Sequence, residues 1–248
     1  MKKILFLFFI TLWITNSFAK TIGFPEHYYK IKNSTIKKNY FFDYLYPYIV
    51  EANKNILIDR KFILSMKLNK HLSKRPKKIK RLFQIAQKYK IENPYDYPTL
   101  LKRVDIVPPS MALAQAAVES GWGNSRFVKE GNNLFGHWTY GNKGMVPLNR
   151  DPNATHLVRI FNSFEESISA YMLNLNRTKA YYIFRLKRLL LRESNQKISG
   201  LILSQTMINY STIKEKYLAI LKSMIIKNDL QKYDKKFYNN LKKEKNEI

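Results

Sequence analysis

The chain has 248 residues, no cysteine and a formal net charge of +26, with 44 Lys and Arg against 18 Asp and Glu. The missing thiols exclude disulfides, cysteine nucleophiles and Cys-based zinc sites, so stability has to come from packing. The four histidines, His27, His71, His137 and His156, show no i, i+4 pairing or other metal spacing, which argues against a zinc hydrolase and leaves no cofactor expected.

Residues 1–19 combine a basic head (Lys2, Lys3), an apolar run from Ile4 to Ile14, and Ser17 and Ala19 at the −3 and −1 positions. This is the pattern of a signal peptide cut after Ala19, with retention as an uncleaved anchor the alternative. The expected location is the periplasm or cell envelope, or outside the cell as a secreted protein. Cleavage would remove two lysines from +26 and leave +24. A field of that sign favours polyanions. Export makes nucleic acid an improbable partner, and anionic wall polymers or a membrane surface fit better. A lysine-rich composition with no selected role explains the charge equally well.

Residues 20–58 are rich in Tyr, Lys and Asn without a clear period and read as an extended arm with a short helix near 41–50. Pro76 opens a helix whose apolar face carries Ile79, Leu82, Phe83, Ala86 and Tyr89, opposite Lys78, Lys80, Arg81 and Lys88. It is a docking helix with a solvated back or a basic contact for wall polymer or membrane. Residues 93–98 form a Pro/Tyr loop.

The next segment is the most informative. Pro109 starts a helix, Ala and Leu propagate it, and Gly121 with Gly123 ends it. Glu119 therefore falls in the last turn, at the negative pole of the helix dipole, on an otherwise small and apolar helix. Dipole and desolvation both favour the neutral acid, the requirement for donating a proton near neutral pH. Gln115 lies one turn earlier on the same face and could bond Glu119 or substrate.

A short helix is expected over 125–130, stopping at Gly131. Strands at 134–140, 145–149 and 156–161, joined by turns at 141–144 and 151–153, make a small antiparallel wall. Ser163 and Glu166 form a capping box for a helix burying Ile168, Tyr171, Met172 and Leu175. Further helices are expected at 178–192, 198–208 and 211–228, the last burying Ile213, Tyr217, Ile220, Leu221 and Met224. From Asp229 the chain reads as a polar, frayed tail.

Three ordered blocks resemble the bacterial glucosaminidase family (glycoside hydrolase family 73), in its Bax-type branch. The first runs from Val104-Asp105-Ile106-Val107-Pro108-Pro109-Ser110 to Glu119-Ser120-Gly121-Trp122-Gly123-Asn124-Ser125-Arg126-Phe127. The second is Gly131-Asn132-Asn133-Leu134-Phe135-Gly136-His137-Trp138, and the third is Phe161-Asn162-Ser163-Phe164-Glu165-Glu166-Ser167 with Asn174-Leu175-Asn176 and Ala180-Tyr181. The resemblance implies a mainly α, lysozyme-like α+β domain over 95–230, between an N-terminal basic region (20–94) and a tail (231–248). It also implies cleavage of peptidoglycan glycan strands, with Glu119 as general acid.

Glycoside hydrolysis needs a second group opposite the acid. The candidates are Asp151 in the sheet wall, Glu130, and Glu165 or Glu166, the last two better explained by capping. The substrate's own acetamido group is an alternative. Tyr181 matches a cleft tyrosine of the family and would orient water or the acetamido group. Trp138 is the candidate for stacking on sugar, whereas Trp122 and Phe135 read as core, and Asn132 and Asn133 as turn formers. The expectation is an endo-β-N-acetylglucosaminidase. A lytic transglycosylase, disfavoured because no Gly-x-Met-Gln block accompanies the glutamate, is one alternative. A non-catalytic basic wall- or membrane-binding protein is the other.

Overall fold

A computed structural model of the chain describes residues 22–69, 71, 75–148, 150 and 153–246. The signal segment 1–19 and Asp151 lie outside the described residues. The architecture is mainly α, as expected. In chain order it comprises α1 (Glu26–Lys30), α2 (Ser34–Leu68), α3 (Pro76–Lys88), α4 (Tyr97–Arg103), α5 (Pro109–Ser120) and α6 (Arg126–Gly131). Strands β1 (Trp138–Thr139) and β2 (Leu157–Val158) follow, then α7 (Phe164–Arg177), a 3₁₀ turn at Lys179–Tyr181, α8 (Tyr182–Glu193), α9 (Gly200–Ser204), α10 (Glu215–Lys227) and α11 (Gln231–Asn246). No helix among the described residues is long and apolar enough to cross a membrane.

Helix α5 is the axis of the molecule. Residues 109–117 are all buried, which its all-round apolar sequence dictates, and α2, α9, α10 and α11 pack around it. The expected N-terminal arm is instead a 35-residue helix, α2, that buries Phe41, Phe42, Leu45, Ile49, Ile56 and Ile63 against α5 and α7. Asn33 caps it by accepting from the Thr35 and Ile36 amides, both at 3.0 Å. In α3 the docking face is Leu82, Ile85 and Ala86, while Phe83 stays 48 % exposed. Two of its basic residues are partnered within the fold, Arg81 and Lys88 reaching Asp59 at 3.6 and 3.0 Å. In α10, Tyr217, Leu221 and Ile225 are buried, whereas Ile213 before it and Ile220 within it are exposed, against expectation.

The β-wall is smaller than the three strands expected. Trp138 pairs with Val158 and Thr139 with Leu157, and Met145 adds one bridge to Val158. Both asparagines of the preceding turn shape backbone, as expected. Asn133 donates to the His137 and Arg159 carbonyls at 2.9 and 2.8 Å, and Asn132 accepts from the Gly23 amide at 2.8 Å. Ser163 caps α7 through the Glu166 amide, but the Glu166 carboxylate returns to the Asn162 amide at 2.9 Å rather than to that of Ser163.

Two polar clusters fix where α5 begins. Asp105 is buried between Arg60, at 3.4 Å, and Arg192, which grips both of its oxygens. Fully buried Arg188 donates to the carbonyls of Lys102, Arg103, Asp105 and Ile106. Asn53 of α2 exchanges a reciprocal pair of hydrogen bonds with Val107, 2.8 and 2.9 Å. The four residues leading into Pro108 are thus held from three sides.

The second cluster comes from the far end of the chain. Residues 231–246, expected as a frayed tail, form α11, and Tyr233 and Phe237 are buried from it. Its Asp234 accepts from the Ser110 amide (2.8 Å), the Ser110 hydroxyl (2.7 Å) and the Gly200 amide (3.0 Å). One carboxylate therefore serves the starts of both α5 and α9, whose first amides lack helical partners. Burial pushes the Asp234 pKa up, opposed by these donors. Asp234→Ala should cost about 3 kcal/mol in urea unfolding, since it strands two buried amides and a hydroxyl at roughly 1–3 kcal/mol each before relaxation. A loss below about 1 kcal/mol would show that water replaces the carboxylate.

Candidate active site

Glu119 lies in the last turn of α5, half-buried. Gly121 ends the helix in the left-handed region at φ 55°, and Trp122 (58°) and Gly123 (72°) follow in the same region. For tryptophan that conformation is strained, and it persists because its surroundings over-determine it. The Trp122 and Gly121 amides both donate to the Ala117 carbonyl, the Ser120 hydroxyl accepts from the Gly123 amide at 2.8 Å, and the Tyr28 hydroxyl donates to the Trp122 carbonyl at 2.7 Å. Gly123 is also a packing requirement, since a Cβ there would sit 2.6 Å from the Phe24 ring. Helix α1 and the residues before it therefore clamp the turn that carries the acid.

The carboxyl group is held by a directional chain of hydrogen bonds. The Tyr171 hydroxyl donates to Gln115 Oε1 at 2.6 Å, Gln115 Nε2 donates to the Tyr217 hydroxyl at 3.0 Å, and Tyr217 donates to Glu119 Oε1 at 2.5 Å. Because Gln115 occupies an acceptor site on the Tyr217 oxygen, the tyrosine's own proton goes to Oε1. That leaves Oε2 as the oxygen to carry an acidic proton. Burial pushes the Glu119 pKa up, and the Tyr217 bond pulls it part of the way back. The net direction is upward, as the helix position implied.

Aromatic rings surround this acid. Tyr210 stacks on Tyr217 with centroids 5.6 Å apart and planes at 3°, Tyr181 lies 5.9 Å from Tyr210, and Phe135 stacks on Tyr171 at 3.9 Å. Burial raises all four phenols, and the Glu119 charge raises them further, so they remain neutral hydroxyls near pH 7. Among the described residues, the groups whose ionisation the Glu119 charge clearly perturbs are these four tyrosines, none of them a carboxylate.

The expected site residues divide. Tyr181 is brought into the cluster with Glu119. Gln115 is corrected: it is 0 % exposed with both amide ends engaged, so it reaches Glu119 only through Tyr217 and presents nothing to a sugar. Trp138 is 60 % exposed and stacks on His156 at 4.0 Å, a free aromatic face on the β-wall. Trp122 packs edge-on against Phe41 and Phe42, and Phe135 is buried, both as expected. Glu130 pairs with Arg126 at 3.2 Å on an exposed face, and Glu166 is occupied by capping and by Arg159. No group of His, Asp and Glu among the described residues would hold a metal ion.

Tyr217 and Tyr210 are the residues that sequence reasoning missed. Tyr217 reads as one more apolar position of α10, and only packing shows where its hydroxyl points. In Tyr217→Phe the carboxylate loses a donor to its charged form, so the Glu119 pKa should rise. The alkaline limb of the pH–activity profile should then move to higher pH. A limb that stayed or moved down would remove Tyr217 from control of the acid.

The sequence model of the family described as mannosyl-glycoprotein endo-beta-N-acetylglucosaminidase (Glucosaminidase) matches residues 95–243, from the loop before α4 through most of α11. Protein bax of Escherichia coli (strain K12) is 36 % identical over 207 residues, covering 80 % of this chain and 72 % of that protein. No solved structure matches the chain. With the matched region enclosing Glu119, the tyrosine cluster and the Asp234 cap, the chain belongs to the glucosaminidase family, a family of glycoside hydrolases with peptidoglycan as the implied substrate.

Proposed function

We propose that the protein is an endo-β-N-acetylglucosaminidase that hydrolyses peptidoglycan glycan strands, with Glu119 as general acid. The observation that carries this reading is a half-buried carboxyl at the end of a buried helix, its pKa raised by desolvation and its rotamer fixed by Tyr217. In this reading Oε2 delivers its proton to the glycosidic oxygen as the bond breaks, and water completes the hydrolysis. The oxocarbenium-like centre is met by Asp151 or by the substrate's acetamido oxygen. The Tyr181 phenol, kept neutral by partial burial and by the Glu119 charge, orients that group or the water. Trp138 offers its exposed ring to an apolar sugar face. The sequence of residues 1–19 supports export to the periplasm or cell envelope, and the N-terminus of the exported protein should read Lys20.

Mass spectrometry of digested cell wall tests the reaction. New reducing ends should be N-acetylglucosamine. Ends carrying 1,6-anhydro-muramic acid would make the protein a lytic transglycosylase instead, and an undigested wall would favour the non-catalytic binding reading.

A further inference from the structure

A concave surface lies beside the Trp122 turn, and none of its lining residues belongs to the tyrosine cluster. It is a groove of about 480 Å³ between the Trp122 turn, the first turns of α2 and the outer face of α10. Trp122, Ala219, Ile220 and Met224 line it with apolar surface, and Lys38, Ser223, Lys227 and Asn228 add polar groups. Lys38 stands with its ammonium 5.3 Å from the centroid of the Trp122 ring. No described carboxylate lines the groove, so its two cations are not neutralised within it.

Two segments of chain tie the groove to the candidate active site. Trp122 is three residues beyond Glu119. Helix α10 bears Tyr217, which bonds Glu119, and then Ile220 and Met224 one and two turns later, a run of about 10 Å at 1.5 Å per residue. Lys38 also lies outside residues 95–243, so this wall is supplied by the N-terminal helix rather than by the matched domain.

We infer that the groove lined by Lys38, Trp122 and Lys227 is an accessory binding site for carboxylate-bearing units of the glycan strand, the lactyl or peptide-substituted sugars. This rests on the peptidoglycan reading above. Ile220 and Met224 offer apolar contact to the sugar, and the two ammonium groups take the carboxylate.

The test uses soluble peptidoglycan strands, either intact or with their carboxyl groups converted to amides, and the full chain carrying Glu119→Gln so that nothing is cut during titration. Intact strands should bind about tenfold more tightly than amidated ones, the combined effect of two partly screened charge pairs. Adding Lys38→Gln and Lys227→Gln should abolish that preference, and Lys38→Arg with Lys227→Arg should restore it. Lys242→Gln with Lys243→Gln removes the same charge from α11 and should leave the preference in place. Equal binding of the two strands, a preference that survives Lys38→Gln/Lys227→Gln, or equal loss in the α11 control would each overturn the site, the last by assigning the preference to the overall field. Binding is read separately from the wall digest, so failure of the groove and failure of the hydrolase reading give different results.

Discussion

Glu119→Gln should reduce hydrolysis of purified wall by two to four orders of magnitude, the range that general acid catalysis supplies, while raising the melting temperature. The amide keeps the shape and the Tyr217 contact but has no proton to give. The stability gain has a definite sign. A glutamate whose folded pKa lies above its unfolded value binds more protons when folded, so its presence erodes stability as pH rises through that window. The variant should therefore match the parent below about pH 4, where both forms of the parent are protonated, and exceed it above the raised folded pKa. Activity lost together with melting temperature would indicate damage to the fold instead. A rate within tenfold of the parent would remove Glu119 from the acid role.

The largest stability effect is expected at Asp105. Burial pushes its pKa up, but the Arg192 hydrogen bond and the charges of Arg188, Arg192 and Arg60 outweigh burial and hold it below the usual carboxylate range. Asp105→Asn leaves those guanidinium groups without their counter-charge, and breaking a buried pair in this way costs roughly 3–5 kcal/mol. The sign is opposite to that at Glu119. A depressed folded pKa contributes stability that is present above the unfolded value near 3.9 and lost as pH falls through the folded one. The gap between parent and variant in chemical denaturation should be widest at neutral pH and close in acid. A gap under about 1 kcal/mol at neutral pH would mean that the Arg188 bonds to backbone suffice without the carboxylate. Because residues 104–107 lead directly into Pro108, the variant should also lose activity through a displaced α5.

Helix α5 was legible because local rules and tertiary role agree in it: proline at the start, glycine at the end, alanine between, and one acid out of keeping. The Ser163 cap and the Asn132–Asn133 turn were legible for the same reason. Helix α2 was not, since Pro47 lies inside it and its polar residues blur the period that Phe41, Leu45, Ile49 and Ile56 trace. Helix α11 hides further, with Tyr233, Phe237 and Asp234 the buried contacts in a lysine-rich stretch. Of the tyrosine cluster only Tyr181 was legible, through the family resemblance. Tyr171 and Tyr217 have the spacing of core residues, and a hydrogen-bond chain linking positions 56 and 102 residues from Gln115 exists only after packing.

The Asp234 cap ties the start of α5 to a distant part of the chain. The carboxylate that closes the start of α5 lies 124 residues further along, in α11. Until that helix arrives, the scaffold beneath the acid has an open end, and so long a closure is slow to form. Loss of α11 should therefore loosen the seat of Glu119 from a distance, through the opposite end of α5.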